Sequence, residues 1–413
     1  MSFDADVIVA GAGPAGAVAA RTLAAAGFDT LLVDRATFPR NKPCGGGIST
    51  RALKRLPWLA TALAGVDQHW ISRLHLEGPD RIAFEVDSPT PCVFTVRRVE
   101  LDHALVTDAL GRGARITTGF EITQAASDAE GTTIQARDGR RLRARTVIAA
   151  DGVHSVMAKR LGLNVRWRRT HLAIDMMEET PTDTLRADRP DVLWVAYAYN
   201  GLDGYSYVFP KAHHVNVGIG CLLSHFDAAV DARPYDLQAA FVAALVDRGV
   251  LHGRSDRGAF TPFLIPVGGP LAETWRGRVL LAGDAGGFVN GVTAEGIYYA
   301  MVSGELAGRA VAAARQARSD DAGARYERLW RAEIGAELAD AAVLQRYLFA
   351  AQSRVAGLVR RASGAGRLTD QLLRYFRGDL PYRALRRRIA MRHPVTALKL
   401  ARVWMSARRE PAS

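Results

Sequence analysis

The sequence predicts an α/β protein, α+β overall, with a Rossmann-type nucleotide-binding domain that is discontinuous in sequence, an antiparallel-sheet domain and a helical C-terminal region. Three observations lead to this fold class. A glycine-rich turn joins an apolar segment to a run of small residues within residues 6–26. Two later apolar segments, at 146–151 and 278–284, have the length and composition of buried parallel strands. Between them, residues 171–223 contain alternating and β-branched runs typical of antiparallel strands.

Composition limits the class of protein. The chain has 413 residues, a length typical of two domains, and its hydrophobic content of 48% is sufficient for a globular core. Cys44, Cys92 and Cys221 lie far apart in sequence, so we expect neither a disulfide framework nor a metal site. The N-terminal segment lacks the cations of a secretory signal, and no apolar run reaches the roughly 18 residues of a membrane span. We therefore predict a cytoplasmic protein.

Positive charge is concentrated at the C-terminal end. The formal net charge is +12, and residues 351–413 contain fourteen arginines and one lysine against Asp370, Asp379 and Glu410, so this segment carries the whole excess. Aromatic residues such as Trp404 interleave with the arginines. The pattern predicts either peripheral contact with the inner face of an anionic membrane or a solvated basic surface on helices that cover the core. We predict no nucleic-acid partner, because the chain has no recognition motif.

The first unit of the chain has the pattern of a dinucleotide-binding turn. GAGPAG, residues 11–16, fits G-x-G-x-x-G: Gly11 permits the tight turn, Gly13 lets the backbone approach a pyrophosphate, and Gly16 lets the helix pack on the strand. The predicted elements are a strand at 6–10, a helix at 14–26 and a strand at 30–34. An acid at the end of the second strand can accept the ribose hydroxyls. The candidate cofactor residues here are Gly11, Gly13, Pro14, Ala15, Gly16, Asp34 and Arg35.

Two further motifs favour FAD over NAD as the bound cofactor. ADGVHSVMAKRLG, residues 150–162, places an acid after a strand, where it can hold the ribityl and diphosphate region. VLLAGDAGGFVNGVTAEGIYYAM, residues 279–301, carries a second acid and a second helix start. The N–H groups of that helix start can face the flavin N1–C2=O edge and stabilise the anionic reduced form. The candidate residues are Asp151, Asp284, Gly296 and Ile297.

With these motifs the sequence resembles the FAD-dependent aromatic-hydroxylase-like flavoprotein superfamily, whose fold combines a Rossmann-type FAD domain with an antiparallel substrate sheet. VRRVELDHAL, residues 96–105, matches the Arg-x-x-apolar-Asp pattern of that superfamily. The resemblance implies that Arg98 contacts the flavin diphosphate or ribityl chain, although a surface position is also compatible with the sequence. Ile122 completes the set of candidate cofactor residues.

The strands near residues 5–34, 146–151 and 278–284 serve one nucleotide site, so the cofactor domain is expected to be discontinuous. The predicted domains are an FAD-binding domain at 1–70, 96–170 and 271–320, an antiparallel-sheet substrate domain at 71–95 and 171–270, and a helical, basic C-terminal region at 321–413.

PRNKPCGGGIS, residues 39–49, resembles a mark of the geranylgeranyl reductase family within that superfamily. The pattern P-x-x-K-x-C-G-G-G is present with Pro39, Lys42 and Cys44 in register, and Pro43 stands inside it. The family resemblance implies that the isoalloxazine ring lies against the three glycines, with the thiol beside it. The candidate residues of this loop are Cys44, Gly45, Gly46 and Gly47.

Two more family marks follow. An aromatic-x-aromatic-x-Phe-Pro run with a later Gly-x-Gly is present as YSYVFPKAHHVNVGIG, residues 205–220. GDAGGFVNGVTAEGIYYA, residues 283–300, is close to the third mark in residue type and spacing. The second aromatic of the run is often Trp in the family and is Tyr207 here, which leaves the shape of the pocket open. Together the three matches cover most of residues 5–310.

The resemblance implies an FAD-dependent reductase that transfers hydride from reduced flavin to carbon–carbon double bonds of a polyprenyl, geranylgeranyl-type substrate. NAD(P)H or a reduced ferredoxin would supply the electrons. The candidate catalytic residues are Cys44, for proton delivery, and Tyr205 and Tyr207, as part of an aromatic wall that tolerates a developing cation. We expect a dry, apolar pocket lined by Tyr205, Tyr207, Phe209, Tyr298 and Tyr299. The alternative interpretation is a small buried thiol and a strand with satisfied hydroxyls.

The alternative function is an FAD-dependent monooxygenase, a hydroxylase or epoxidase of a hydrophobic or aromatic substrate. Many such hydroxylases carry His after Gly-Asp-Ala, whereas Gly286 stands there in this chain. A flavin halogenase would carry Trp-x-Trp-x-Ile-Pro, which is absent from the sequence. Three dispersed cysteines exclude an iron–sulphur cluster held by four thiolates but leave open a cluster-free quinone reductase. The carrier of the polyprenyl chain, a diphosphate, lipid, quinone or pigment ester, also stays open.

Overall fold

The computed structural model describes residues 3–364 and 366–392. The last part of the predicted basic region, including Trp404, lies outside the described residues. Within them, twenty strands form four sheets. The strands are β1 (Ala5–Ala10), β2 (Thr30–Val33), β3 (Gly47–Ser49), β4 (His69–Ile71), β5 (Arg73–Glu77), β6 (Ala83–Asp87), β7 (Val93–Thr95), β8 (Arg115–Thr117), β9 (Ile122–Ser127), β10 (Thr132–Ala136), β11 (Arg141–Ala149), β12 (Leu172–Pro181), β13 (Leu185–Ala187), β14 (Val192–Tyr197), β15 (Gly204–Pro210), β16 (His214–Leu222), β17 (Leu251–Gly253), β18 (Phe260–Pro266), β19 (Trp275–Arg276) and β20 (Val279–Leu281).

Helices connect and cover the sheets. They are α1 (Pro14–Ala25), α2 (Arg51–Arg55), α3 (Trp58–Ala62), α4 (Arg98–Gly111), α5 (Val156–Arg160), α6 (Leu223–Ala229), α7 (Pro234–Asp247), α8 (Ile297–Gln316), α9 (Ala322–Trp330), α10 (Ala336–Phe349), α11 (Gln352–Ser363), α12 (Gly366–Phe376) and α13 (Tyr382–Arg392). A π-helical turn at Arg331–Gly335 joins α9 to α10. Of the helices that the structure describes, none has both the length and the apolar character required to cross a bilayer.

The first sheet, with β19-β20-β11-β1-β2-β8 as its main path, brings together the strands predicted to serve one nucleotide site. β1 pairs in parallel with β2 and β11, and β11 pairs in parallel with β20. α1 and α8 cover one face of this sheet, and small residues let them approach closely. A Cβ atom added at Gly304 of α8 would lie 2.1 Å from the carbonyl oxygen of Ala15 in α1. The chain therefore needs glycine where these two helices cross.

The second sheet has the order β18-β12-β16-β15-β14-β5-β6. The predicted strands between residues 171 and 223 pair in antiparallel fashion within it. The prediction of a wholly antiparallel sheet is wrong at one pair, because β5 runs parallel to β14. The segment with β5 reaches the sheet through a long connection rather than a hairpin, and parallel pairing requires such a crossover. The overall class, an α/β protein with parallel and antiparallel sheets, is confirmed.

A buried charged cluster joins the C-terminal helices to the rest of the fold. Arg51 of α2 is 6% exposed. Its guanidinium donates to Glu295 at 2.8 Å, to Glu337 of α10 at 2.9 Å and to the hydroxyl of Tyr375 in α12. The hydroxyl of Tyr299 in α8 also accepts from Arg51, at 2.9 Å. Four separate segments thus depend on one cation, because two buried carboxylates have Arg51 as their shared counter-ion.

Replacing Arg51 by Leu should strongly destabilise the fold. The change leaves the carboxylates of Glu295 and Glu337 buried without their counter-ion, which typically lowers the free energy of unfolding by about 3–5 kcal/mol. Urea denaturation followed by circular dichroism measures this difference, with the exposed Arg112→Leu as the matched control. A loss below about 0.5 kcal/mol for R51L would show that the cluster does not hold the helices.

Candidate cofactor and substrate site

In the glycine-rich turn after β1, one glycine has free space where a side chain would be. A Cβ at Gly11, where φ is +97°, would lie 2.3 Å from the carbonyl oxygen of Ala150, and a Cβ at Gly16 would lie 1.8 Å from the Gly11 carbonyl oxygen. Protein backbone therefore requires both glycines. A Cβ at Gly13 would meet only the Arg40 guanidinium, at 3.7 Å. Pro14 and Ala15 begin α1 directly after Gly13, so the open backbone lies at a helix N-terminus that favours an anion.

The acid at the end of β2 is tied to this turn. The Asp34 carboxylate accepts the backbone N–H of Ala12 at 2.7 Å and that of Ala36 at 2.8 Å. Each oxygen keeps a lone pair for a further donor such as a ribose hydroxyl. Arg35 is exposed next to this acid. Ile122 begins β9 and packs on the apolar core of the first sheet. The roles assigned to Arg35 and Ile122 stay predictions.

Two arginines share one buried acid below the glycine turn. Arg98 is 3% exposed, and its Nε and Nη2 atoms donate to the two carboxylate oxygens of Asp102, each at 2.7 Å. Burial lowers the pKa of Arg98, but Asp102 and the neighbouring Cys44 thiol more than offset it, so the pKa is raised. Arg40 contacts the same carboxylate at 2.8 Å while facing Gly13. Arg40 is thus the arginine that the structure places beside Gly13 of the turn, and the sequence prediction missed it.

The triple-glycine loop lies against aromatic rings of the second sheet. A Cβ at Gly45 would stand 3.0 Å from Phe209, and one at Gly47 would stand 3.1 Å from the same ring. Gly46 has a φ of +71°, and its Cβ would lie 2.1 Å from the carbonyl oxygen of Val96. The protein's own packing therefore explains why residues 45–47 are glycines. Contact of a flavin ring with this loop stays a prediction.

Polar contacts hold the triple-glycine loop in place. The side-chain amide of Asn216 donates to the carbonyl oxygen of Cys44 at 3.3 Å, and the backbone N–H of Gly46 contacts the Cys44 sulfur at 3.4 Å. Lys211, 4% exposed, forms an ion pair with Glu179 beneath the loop. Burial lowers the pKa of this lysine, and the carboxylate opposes the shift. The Cys44 thiol is thus half-buried on a backbone held by hydrogen bonds. The buried cations Arg98 and Lys211 lie close to it.

The acids of the two later motifs have different surroundings. Asp151 is engaged in capping α5: it accepts the Ser155 hydroxyl at 2.6 Å and the backbone N–H of Met157 at 3.1 Å, and burial raises its pKa. Asp284 is more open and lies 3.5 Å from the Lys42 ammonium group. A Cβ at Gly296, the residue before α8, would be 3.7 Å from Asp284. The glycine loop, Asp284 and the start of α8 therefore lie close together.

Tyr205, Tyr207 and Phe209 occupy alternate positions of β15 and share one face of the second sheet. The Tyr205 hydroxyl donates to the carbonyl oxygen of Thr293 at 2.7 Å, in the loop before α8. The Tyr207 ring covers Gly218 of β16, where a Cβ would lie 2.3 Å from it. Burial raises the pKa of both tyrosines well above the usual value. These rings form a rigid wall, and the Gly-x-Gly motif provides the space for it.

Tyr298 and Tyr299 do not belong to that wall. The Arg51 guanidinium lies 3.9 Å above the Tyr298 ring and donates to the Tyr299 hydroxyl. Of the five aromatic residues, Tyr205 and Tyr207 line the pocket between the second sheet and α10, and Phe209, Tyr298 and Tyr299 do not. The place of Tyr298 and Tyr299 in the charged cluster follows from the start of α8, which directs the first turn of the helix toward α2 and α10. The prediction that all five aromatic residues line one pocket is therefore wrong for Phe209, Tyr298 and Tyr299.

A pocket lies between the second sheet, the loop before α8 and α10. Glycine and apolar residues form most of its lining. Its polar side chains come from β12, the turn before β15, strands β15 and β16, and α10: Asp175, Asp203, Tyr205, Tyr207, Cys221 and Gln345. None of the described residues that line it is a lysine or arginine. The pocket therefore suits an uncharged, largely apolar molecule.

The sequence prediction also missed two polar residues of this pocket. Asp175 is 7% exposed, and its Oδ2 atom accepts the Tyr207 hydroxyl at 3.0 Å. Burial raises the pKa of Asp175 to about 6, and the hydrogen bond from Tyr207 opposes the shift. Gln345 of α10 is 2% exposed. An acid within the apolar run HLAIDM was the available signal for Asp175, since a buried carboxyl seldom occurs without a role. No comparable signal marks Gln345.

A family model described as "FAD binding domain" matches residues 4–342. This chain is an FAD-binding flavoprotein. The match spans the elements that carry Gly11, Asp34, Asp284 and the start of α8. The residues present fit FAD: open backbone at Gly13 beside Arg40 suits a pyrophosphate, and the start of α8 presents N–H groups to an electron-rich edge.

Two curated relatives of the flavoprotein carry reductase names. The menaquinone reductase of Mycobacterium tuberculosis (strain H37Rv) is 33% identical over 74% of this chain and 77% of its own length. Digeranylgeranylglycerophospholipid reductase 2 of Methanopyrus kandleri is 31% identical over 80% of this chain and 83% of its own length. The resemblance to the geranylgeranyl reductase family is therefore confirmed.

A solved structure agrees with the fold of the flavoprotein. A geranylgeranyl bacteriochlorophyll reductase-like protein from Thermoplasma acidophilum superposes with a TM-score of 0.78 at 20% identity, over 97% of this chain and 99% of that chain. At this identity the comparison establishes the fold alone. It confirms the predicted combination of a Rossmann-type FAD domain with a second sheet.

Replacing Arg40 by Gln should weaken FAD binding. Loss of a charge-assisted contact to a phosphate raises Kd by about 10- to 100-fold. Asp102 keeps its two bonds from Arg98, so the acid is not left without a counter-ion. Flavin fluorescence quenching during titration of the apoprotein measures Kd, and the exposed Arg137→Gln serves as control. Equal Kd values for R40Q and wild type would show that Arg40 does not hold the diphosphate.

Proposed function

We propose that the flavoprotein reduces carbon–carbon double bonds of a polyprenyl substrate. The observation that carries the proposal is the position of the apolar pocket, between the aromatic wall and the loop that leads into α8. That loop joins the start of α8 to Asp284, the part of the site that fits a flavin ring. A polyprenyl chain is apolar, so such a pocket would bind it by excluding water. The names of the two relatives support the same substrate class.

The groups that would hold FAD are distributed over the first sheet and the glycine loop. Gly13, Arg40 and the N-terminus of α1 would bind the diphosphate, and Asp34 the ribose. Asp284 and the start of α8 would bind near the flavin ring. When bound, FAD supplies two electrons as a hydride once NAD(P)H or a reduced ferredoxin has reduced it. The sequence contains no second glycine-rich nucleotide-binding motif. We therefore propose either NAD(P)H or a reduced ferredoxin as the electron donor.

The protein's own groups would position the alkene and exclude water. Tyr205 and Tyr207 line the pocket, and aromatic rings stabilise a carbon centre that becomes electron-poor. Their hydroxyls are already engaged, with Thr293 and Asp175. We propose that both tyrosines act as walls that orient the chain. Cys44 is proposed to contact the flavin, because it lies at the loop between the two sheets.

The charges around the pocket favour a carrier with an uncharged head group. Two carboxyl groups line it, and no lysine or arginine is among its described lining residues. A diphosphate would find no cation among these residues, and a charge buried without a counter-ion is costly. A quinone or a neutral lipid carries no such charge. We therefore propose a neutral polyprenyl compound, which agrees with the quinone in the name of one relative.

Turnover of a small panel tests this function. Dithionite-reduced holoenzyme is mixed under anaerobic conditions with a short-chain menaquinone, geranylgeraniol or geranylgeranyl diphosphate. After reoxidation of any menaquinol to the quinone, we expect a mass gain of two hydrogens per reduced alkene bond for the neutral probes. The diphosphate should react at least about tenfold more slowly, equivalent to about 1.4 kcal/mol. Mass spectrometry reads the products.

Preference for the diphosphate would contradict the neutral-head proposal. The absence of any saturated product would contradict the reductase function. Admission of oxygen to the reduced enzyme then tests the monooxygenase, because a product with one added oxygen atom would establish that alternative.

We also propose that the basic C-terminal helices contact the inner face of an anionic membrane. Arg367 and Arg387 are exposed on α12 and α13. Other arginines of this region are engaged within the fold: Arg360 pairs with Asp80 and Arg386 with Asp340. The region therefore both covers the core and presents positive charge to the outside.

Reversing two of these exposed charges should weaken membrane binding. The double variant Arg367→Glu and Arg387→Glu is expected to lower the partition coefficient on vesicles rich in anionic lipid by more than about tenfold, since each cation contributes about 1 kcal/mol. Vesicle sedimentation measures the partition coefficient, with Arg112→Glu and Arg318→Glu as a control pair outside this region. Equal sedimentation of the R367E/R387E variant and wild type would refute membrane contact through these helices.

A further inference from the structure

One acid of the pocket has an oxygen atom without a hydrogen-bond partner. Asp175 lies in the middle of β12, paired with Gly220 of β16 on one side and Phe263 of β18 on the other. Its Oδ2 atom accepts the Tyr207 hydroxyl at 3.0 Å. Its buried Oδ1 atom has no partner among the described residues. Because Asp175 lines the pocket, its unpartnered oxygen is available to a group that binds there.

Glycine leaves free space beside that buried oxygen atom. A Cβ at Gly220 would stand 3.9 Å from the Asp175 Oδ1 atom, so a larger side chain would cover it. The φ of Gly220 is not in the left-handed region, so backbone conformation does not require glycine at this position. The loop residues Gly291, Val292 and Ala294, which precede α8, line the same pocket as Asp175. Asp175 is thus in the pocket that borders the proposed flavin site.

We propose that Asp175 is the acid that protonates the alkene carbon during reduction, and that Tyr207 is the positioning residue that holds its carboxyl group. This inference rests on the proposed reductase function and adds the identity of the proton donor to it. Cys44, the candidate donor from the sequence, then keeps a contact role beside the glycine loop.

Atoms and electrons balance in this step. Bound FAD, once reduced by NAD(P)H or a reduced ferredoxin, would supply a hydride with its two electrons to one alkene carbon. The neighbouring carbon receives H⁺ from the Asp175 carboxyl, so the O–H bond of Asp175 breaks and a C–H bond forms while the π bond is lost. The carboxylate that remains takes up a proton from solvent before the next turnover. An isolated alkene requires this acid, because a carbanion there has no stabilisation.

Asp175 is better suited to this task than the other titratable groups that line the pocket. Burial raises the pKa of Asp175 to about 6, the range of an effective general acid near neutral pH. Tyr205 and Tyr207 have pKa values well above their usual range and are weak acids. Burial also raises the pKa of Cys221. Asp203 is 32% exposed and 3.2 Å from His225, so water reaches it.

The test compares Asp175→Asn with wild type by rapid mixing of pre-reduced holoenzyme with a menaquinone that bears an unsaturated geranylgeranyl chain. We expect alkene reduction to slow by about 10²- to 10⁴-fold, the usual contribution of a general acid. Reduction of bound FAD by dithionite should be unchanged. The exposed Asp138→Asn, in the turn between β10 and β11, is the matched control.

A pH series separates proton donation from a structural role. The donor must be protonated, so the wild-type rate should fall as pH rises above the pKa of Asp175, and D175N should lack this limb. Tyr207→Phe removes a hydrogen bond that lowers this pKa, so its limb should move to higher pH. In the substrate-free oxidised holoenzyme, the infrared band of a protonated carboxyl should titrate near pH 6 and be missing in D175N.

Each outcome decides between the two proposals. A D175N variant with the wild-type rate and pH limb, or with an unchanged carboxyl band, would overturn the role of Asp175 while leaving the reductase function in place. Wild-type enzyme that saturates none of the probes would overturn the reductase function, and the proton donor with it. If the rate of Y207F falls at the same pH as the wild-type rate, Tyr207 is not the positioning residue.

Discussion

The packing of the triple-glycine loop against the aromatic face of the second sheet is the contact on which the site depends. Phe209 approaches two of the glycines so closely that a single methyl group would touch its ring, and the Val96 carbonyl oxygen occupies the place of a side chain at Gly46. Because of this contact, the loop from the first sheet and the wall of the second sheet have one fixed separation. The pocket, the open backbone at Gly13 and the start of α8 are placed relative to one another as a consequence.

Buried charges make this arrangement specific. Arg98 with Asp102, Lys211 with Glu179 and Arg51 with its two glutamates each place a cation next to a carboxylate in the interior. Such pairs add little net stability compared with apolar packing, but separating either partner from the other costs several kcal/mol, about 3–5 in typical cases. They therefore disfavour alternative positions of the glycine loop and of the C-terminal helices. The first two pairs also lie close to Cys44, so the field at the thiol is set by the same groups that fix its backbone.

The pocket itself differs in charge from the surrounding site. Cations cluster around the glycine turn and the glycine loop, where a diphosphate and an electron-rich ring would bind. The pocket beyond the aromatic wall is lined by two carboxyl groups and by apolar side chains. Of the cations, Arg40 and Lys42 come from the segment after β2 of the first sheet, and Lys211 comes from the turn between β15 and β16. Both acids of the pocket come from the second sheet and the turn before β15. One surface thus suits an anionic cofactor and the other a neutral, apolar substrate.

The sequence by itself determined the fold class, the FAD-binding character and the family. These depend on local rules: Gly11 and Gly16 are needed where backbones touch, strand periodicity is set by which face is buried, and helix starts follow glycine. Only the tertiary structure decided the rest. Asp175 and Gln345 are distant in sequence, and folding alone brings them to one pocket; Arg40 reaches Gly13 through a loop whose path no periodicity describes. Tyr298 and Tyr299 lie outside the predicted wall for a related reason. The direction of a side chain on a helix is set by the partner against which that helix packs.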